Sequence, residues 1–166
     1  MLIQRPNLTD RPATIHVGMS LLAVTVLISL PGCESSPPAS SQTDGDAKRA
    51  VISITSDPQA DPQAVNMGLT FAGFCVDEGY DVSIFFNVKG VHLPTRTFDP
   101  EFRFLEHPPM IETLKTLHGR GVQLHVCPVC MKDLNIQPED IIEEAFVTDK
   151  PKLFAQLGGD TMVFSY

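Results

Sequence analysis

No cluster of lysine and arginine occurs anywhere in this chain, and with 12 basic against 20 acidic residues its formal charge is -8. That balance argues against a nucleic-acid partner drawn in through phosphate charge, and it disfavours anionic membrane surfaces. Cysteine is sparse: Cys33, Cys75, Cys127 and Cys130 are the whole set, and only the last two are close together. A chain of 166 residues does not need staples, so a disulfide framework is not expected. No apolar run is long enough to span a bilayer, because Leu21 to Leu30 covers only about 15 Å as a helix against roughly 30 Å of hydrocarbon. Also missing are a dinucleotide-binding glycine fingerprint, a phosphate-binding Gly-Lys-Ser/Thr loop, a zinc-protease histidine pair and a nucleophile elbow. Nothing in the sequence requires a cofactor or a metal.

What is present divides into three parts, residues 1–32, 33–49 and 50–166. The first carries Arg5 and Arg11 and then the apolar Leu21-Leu22-Ala23-Val24-Thr25-Val26-Leu27-Ile28-Ser29-Leu30, the form of a signal-peptide core. It closes with Leu30-Pro31-Gly32-Cys33, which resembles the bacterial lipobox, in which the cysteine is acylated and becomes the mature N-terminus; Pro31 departs from the usual small residue. The expectation is an exported protein anchored to a membrane through lipid on Cys33, in the cell envelope on the periplasmic side. Glu34, in place of the aspartate associated with inner-membrane retention, favours the outer membrane. An ordinary secretory signal with an incidental cysteine is the plainer alternative. Glu34 to Arg49 has almost no apolar side chain to bury and reads as a flexible tether.

The third part, 43% hydrophobicity in the chain being enough for one core, is expected to fold as a single α/β domain. Ala50-Val51-Ile52-Ser53-Ile54-Thr55 is a β-branched run suited to a buried strand. Asp61-Pro62 starts a helix that Gly79 can end. That helix carries two apolar stripes, Val65-Leu69-Ala72-Val76 and Met67-Phe71-Phe74, so it is expected to be covered on two sides, by another element or another subunit. Cys75 between them reads as a small buried hydrophobe. Asp81 to Val88 is a second, central strand, followed by the basic loop Lys89 to Arg96. Met110 to His118 is a helix ended by Gly119-Arg120-Gly121, and Val122 to Val126 is the third strand. Pro138 to Ala145 is expected as a short helix before the extended Phe146-Val147. Lys150 to Leu157 and Thr161 to Ser165 follow as the last helix and strand. Strands alternating with helices at these spacings give a three-layer sandwich, a mainly parallel sheet of about five strands flanked by helices in a flavodoxin-like topology.

Parallel α/β sheets gather ligands and reactive groups at the carboxyl ends of their strands. Here those ends bring Ser56 and Asp57, then Asn87 to His92, then Cys127 to one edge. A cysteine ending a strand, with proline next and a helical turn after it, stands near unpaired backbone amides that favour thiolate. Asn87, Lys89 and His92 are candidate pocket or thiolate-activating groups, and His125, two residues before Cys127, is a fourth. Several readings are open for Cys127-Pro128-Val129-Cys130. A thioredoxin-like oxidoreductase expects this motif after the first strand and before a long helix, whereas here it comes late and before the short Met131-Lys132-Asp133-Leu134. A zinc site expects a second ligand pair, and His92, His107, His118 and His125 are scattered. Two structural thiols are the plainest reading, and a nucleophile or sulfur carrier the most specific one.

The order of the Val51-Ile52-Ser53-Ile54 strand, the apolar helix, the Val82-Ser83-Ile84-Phe85-Phe86-Asn87 strand with Lys89-Gly90-Val91, and then Gly121 to Cys130 resembles the DsrE/DsrF-like family. The likeness runs from about Ala50 to Tyr166. It implies a three-layer α/β domain, a homo-oligomer, commonly a trimer or hexamer, and in some members a sulfur relay with donor and acceptor proteins. Carried over, Cys127 matches the strand-end cysteine that holds a persulfide and Cys130 the second cysteine of many relatives. Relay members work in the reducing cytoplasm, whereas export would let Cys127 and Cys130 pair as a disulfide. A non-enzymatic oligomeric binding module is the alternative of a different class.

Overall fold

The computed structural model describes residues 48–166, so the expected leader, the Cys33 anchor and nearly all of the tether lie outside the described residues. Five strands form one sheet in the order β4-β3-β2-β1-β5, and every pairing is parallel. They are β1 (Arg49–Ile54), β2 (Asp81–Phe86), β3 (Gln123–Val126), β4 (Ala145–Val147) and β5 (Thr161–Ser165). Parallel neighbours need crossovers, supplied by α1 (Pro62–Asp77), α2 (Met110–Gly119), the short α3 (Pro128–Asp133) and α4 (Lys150–Ala155). The α/β architecture expected from the sequence is the one observed.

Local chemistry sets the helix ends. Asp61 caps α1, its carboxylate accepting the Ala64 amide at 3.1 Å, with Pro62 in the first turn where no amide is missed. At the other end Gly79 adopts φ 79°, and the amides of Gly79 and Tyr80 close on Val76 and Cys75 carbonyls. A left-handed residue there satisfies carbonyls that the helix leaves open.

The period of two along the strands decides which side is the core. Ala50, Ile52 and Ile54 of β1, Val82, Ile84 and Phe86 of β2, and Leu124 and Val126 of β3 are almost wholly buried. They join Val65, Leu69 and Ala72 of α1 and Met110, Leu114 and Leu117 of α2 in one cluster. The opposite face, with Ser53, Ser83, Gln123 and His125, is more polar. The residue after α4, Gln156, hydrogen-bonds there to Ser83 and Gln123, both at 3.3 Å. The two helical layers are therefore unequal, because only one sheet face is apolar throughout.

Three expectations change in detail. Val65, Leu69 and Ala72 are buried as one stripe of α1, but the second stripe divides: Phe71 packs edge-on against Phe164 with centroids 4.5 Å apart, while Met67 and Phe74 are 45% and 55% exposed. Phe71 alone reaches the last strand. Pro138 to Ala145 is not a helix; only Pro138–Asp140 form a 3-10 turn. Asp140 closes that turn on the Gln137 amide, and the chain then extends because Ile142 donates to Pro94 and Ile141 bridges Thr95. The second strand stops at Phe86, and Val88 begins a 3-10 turn, Val88–His92, with φ 48°. A tertiary bond holds it there, the Asn87 amide donating to Ile54 at 3.0 Å, and the turn closes on itself through the Gly90 amide donating to Asn87 at 2.9 Å.

Candidate functional site

β2 and β3 both end at the same edge. The Cys127 amide donates to the Phe86 carbonyl at 3.0 Å, carrying the ladder one step beyond the last paired residues Phe86 and Val126. Cys127 has extended backbone and is the cap residue of α3, with Pro128 in the first turn. The Cys127 carbonyl accepts the Met131 amide at 3.0 Å, so that helical turn carries Cys130 back over the strand end. Both thiols are free and half-buried against the edge of the core.

The sulfur of Cys130 is held by a backbone donor. The Val88 amide points at Cys130 Sγ at 3.1 Å, a contact between the turn after β2 and the helix after β3. Opposing influences act on this thiol. Burial pushes it up most, and the Cys127 side chain, through hydrogen bonding and charge, adds to that, as does the Asp133 carboxylate; the Val88 amide pulls it down. The balance keeps Cys130 protonated beyond the ordinary thiol range, as a hydrogen donor beside Cys127. Cys75, buried in α1, is also pushed up, by burial alone. It belongs to the core, as its position between the stripes implies.

The four other candidate residues go to different places. Asn87 stands next to Cys127 in the extended ladder; its Nδ2 donates to Ser53 Oγ at 3.1 Å, and its Oδ1 is buried with no partner among the described residues. Lys89 is exposed in the turn. His92 lines a separate cavity of about 220 Å³ with Asp57, Gln59, Thr95, Thr97 and Phe98. His125 is 1% exposed, with its ring edge-on to Phe146 and Nδ1 3.1 Å from Thr148 Oγ1. Thr148 spends its hydroxyl hydrogen on the Asp149 carbonyl at 3.3 Å. The His125 Nδ1–H therefore donates to Thr148, which leaves the lone pair on Nε2, an atom without a partner among the described residues. Burial first, and the Lys152 ammonium second, hold His125 below its usual range, so it is neutral. No group of three or more His, Cys, Asp or Glu among the described residues is placed to hold a metal ion.

Two partners at this edge had no signal in the sequence. The Val88 donor is a backbone group, visible only once the turn is seen, and Thr148 meets His125 across 23 residues of chain. For Val88 the one available hint is Gly90. A methyl there would overlap the Ile54 carbonyl oxygen, so the turn must press against β1.

A five-stranded parallel sheet with two half-buried, unbridged cysteines at its carboxyl edge defines the class: an α/β domain with one thiol at a strand end and a second on the helical turn after it. Residues 48–158 match the model of the DsrE/DsrF-like family, and the chain belongs to it. Among solved structures it is similar to the ychN protein from E. coli, with 18% identity and a TM-score of 0.59 over 72% of this chain and 99% of that one. It is also similar to MTH1491 from Methanobacterium thermoautotrophicum, described as a protein of unknown function, with 14% identity and a TM-score of 0.51 over 71% of this chain and 99% of that one. At such identities the likeness is one of fold. No curated protein matches.

Proposed function

We propose that this is a sulfur-relay-type domain that binds or transfers sulfane sulfur through Cys127, with Cys130 as its resolving thiol. The observation that carries the reading is the placement of the pair: Cys127 ends a strand at the open edge of the sheet, and Cys130, its sulfur held by the Val88 amide, stands beside it as a hydrogen donor. In the same proposal the domain is exported and tethered to the envelope by lipid on Cys33, works as a homo-oligomer and exchanges sulfur with a donor or acceptor protein. Incubation with a polysulfide followed by intact mass tests the central claim. An added sulfur on wild type or on Cys130→Ser that is lost in Cys127→Ser supports it; no adduct on either chain, or an undiminished one in Cys127→Ser, overturns it.

A second reading rests on the exposed Met67 and Phe74 of α1, which give an assembly surface to a binding module whose cysteines are structural. It expects an oligomer by light scattering together with thiols that resist alkylation in the native state. Ready alkylation of Cys127 removes it.

A further inference from the structure

Val88 is the one β-branched residue with left-handed backbone among the described residues, at φ 48°. Such a conformation is strained for a β-branched residue and persists only where the surroundings over-determine it. Side-chain packing is not what holds it, because Val88 is 56% exposed. What the conformation does is aim an amide N–H at Cys130 Sγ, 3.1 Å away. The turn is fixed from behind by the Asn87 to Ile54 and Gly90 to Asn87 hydrogen bonds.

We propose that the Val88 amide anchors the sulfur of Cys130 and prepares it to attack a persulfide on Cys127, so that this site discharges carried sulfur as hydrosulfide. The inference rests on the sulfur-carrying reading above. Cys130 lies one turn after the cap residue Cys127, with its thiol in hydrogen-bonding reach of the Cys127 side chain. In the step, the Cys130 thiolate attacks Cys127 Sγ and a bond forms between the two Sγ atoms. The bond from Cys127 Sγ to the outer sulfur breaks, and its electron pair leaves with that sulfur as HS⁻. Cys130 is oxidised, the outer sulfur is reduced, and the proton shed by Cys130 passes to water or to the departing hydrosulfide. No external oxidant takes part; the disulfide is reset afterwards by a small-molecule thiol.

Burial and the neighbouring thiol disfavour the Cys130 thiolate, and the amide is the contact that favours it. Removing one charge-assisted hydrogen bond is worth about tenfold in thiolate fraction, or about one pH unit in its midpoint.

The test replaces the Val88 amide by an ester in the full chain, leaving the side chain in place. In a Cys127→Ser background, which needs no sulfur loading, Cys130 alkylation followed by peptide mass is expected to slow about tenfold below the thiol midpoint, with the midpoint moved up about one unit. An unchanged profile overturns the role of the amide. Should the ester disturb folding, the Val88 amide proton resonance in the Cys127→Ser chain is expected to titrate with Cys130, and a resonance blind to that titration has the same negative meaning. For the discharge step, polysulfide-loaded wild type is expected to release hydrosulfide as the Cys127–Cys130 disulfide appears, while Cys130→Ser retains its adduct. A lasting adduct on wild type with no hydrosulfide released overturns discharge and leaves sulfur carriage standing; no adduct on either wild type or Cys130→Ser, with no hydrosulfide released, overturns both.

Discussion

Gly90→Ala is expected to damage the fold and the cysteine site together. A methyl at Gly90 would overlap the Ile54 carbonyl oxygen and sit 2.7 Å from its carbon and 3.1 Å from its Cγ2. The obstacle is strand backbone, paired on one side with β2 and on the other with β5, so it cannot yield as a flexible side chain would. The turn must move instead. Overpacking of this kind costs about 1–3 kcal/mol, and the Asn87 to Ile54 bond that ties the turn to β1 is worth about 1 kcal/mol more. A loss of about 2–4 kcal/mol is therefore expected, a large share of the stability of one domain. Urea unfolding followed by circular dichroism measures it, with Gly119→Ala as comparator. Gly119 is the last residue of α2 and a methyl there meets nothing within 4 Å, so that variant is expected to be neutral or slightly stabilising. Because the Val88 amide moves with the turn, Cys130 alkylation in Gly90→Ala is expected to change as well. Equal midpoints for the two variants at equal m-values would refute the reasoning.

Two further outcomes follow from the packing. His125 is held neutral by burial and by Lys152, below the usual histidine range of about 6.5; its folded-state pKa is lowered, so above pH ~6.5 neither state binds the proton and stability is at its plateau. As pH falls through that value the unfolded chain takes up a proton that the folded chain refuses, and stability declines until the folded pKa is reached; His125→Gln is expected to flatten this acid limb in urea titrations at stepped pH, and an unchanged limb would count against a buried neutral imidazole. Phe71→Ala removes the ring that meets Phe164 and Tyr166, and is expected to cost about 2 kcal/mol, less than a fully buried phenylalanine, with faster amide exchange concentrated in β5.

How much of this was legible in the chain varies with the range of the interaction. Alternation of apolar residues in Ala50 to Ile54 and Val82 to Phe86, the Asp61-Pro62 start and the Gly79 stop are local signals, and each element appears within a residue or two of its expected place. Pro138 to Ala145 failed as a helix because a distant loop segment, Pro94 to Arg96, claims its backbone. The second stripe of α1 looked like one surface, yet only Phe71 meets β5, whose position beside β1 no local pattern encodes.

The same division runs through the candidate site. The sequence by itself determined that Cys127 would end a strand and that Cys130 would follow on a helical turn, because β-branched runs, glycine stops and a proline in the first turn act over a few residues. It also brought Asn87 to the same edge, since parallel strands present their carboxyl ends together. Only the tertiary structure decided which neighbours meet. It placed His92 in another cavity and bound His125 to Thr148. It pressed Gly90 against β1 and so turned the Val88 amide onto the Cys130 sulfur. That contact joins 42 residues of separation through a backbone N–H, a group every residue but proline carries and no sequence can single out.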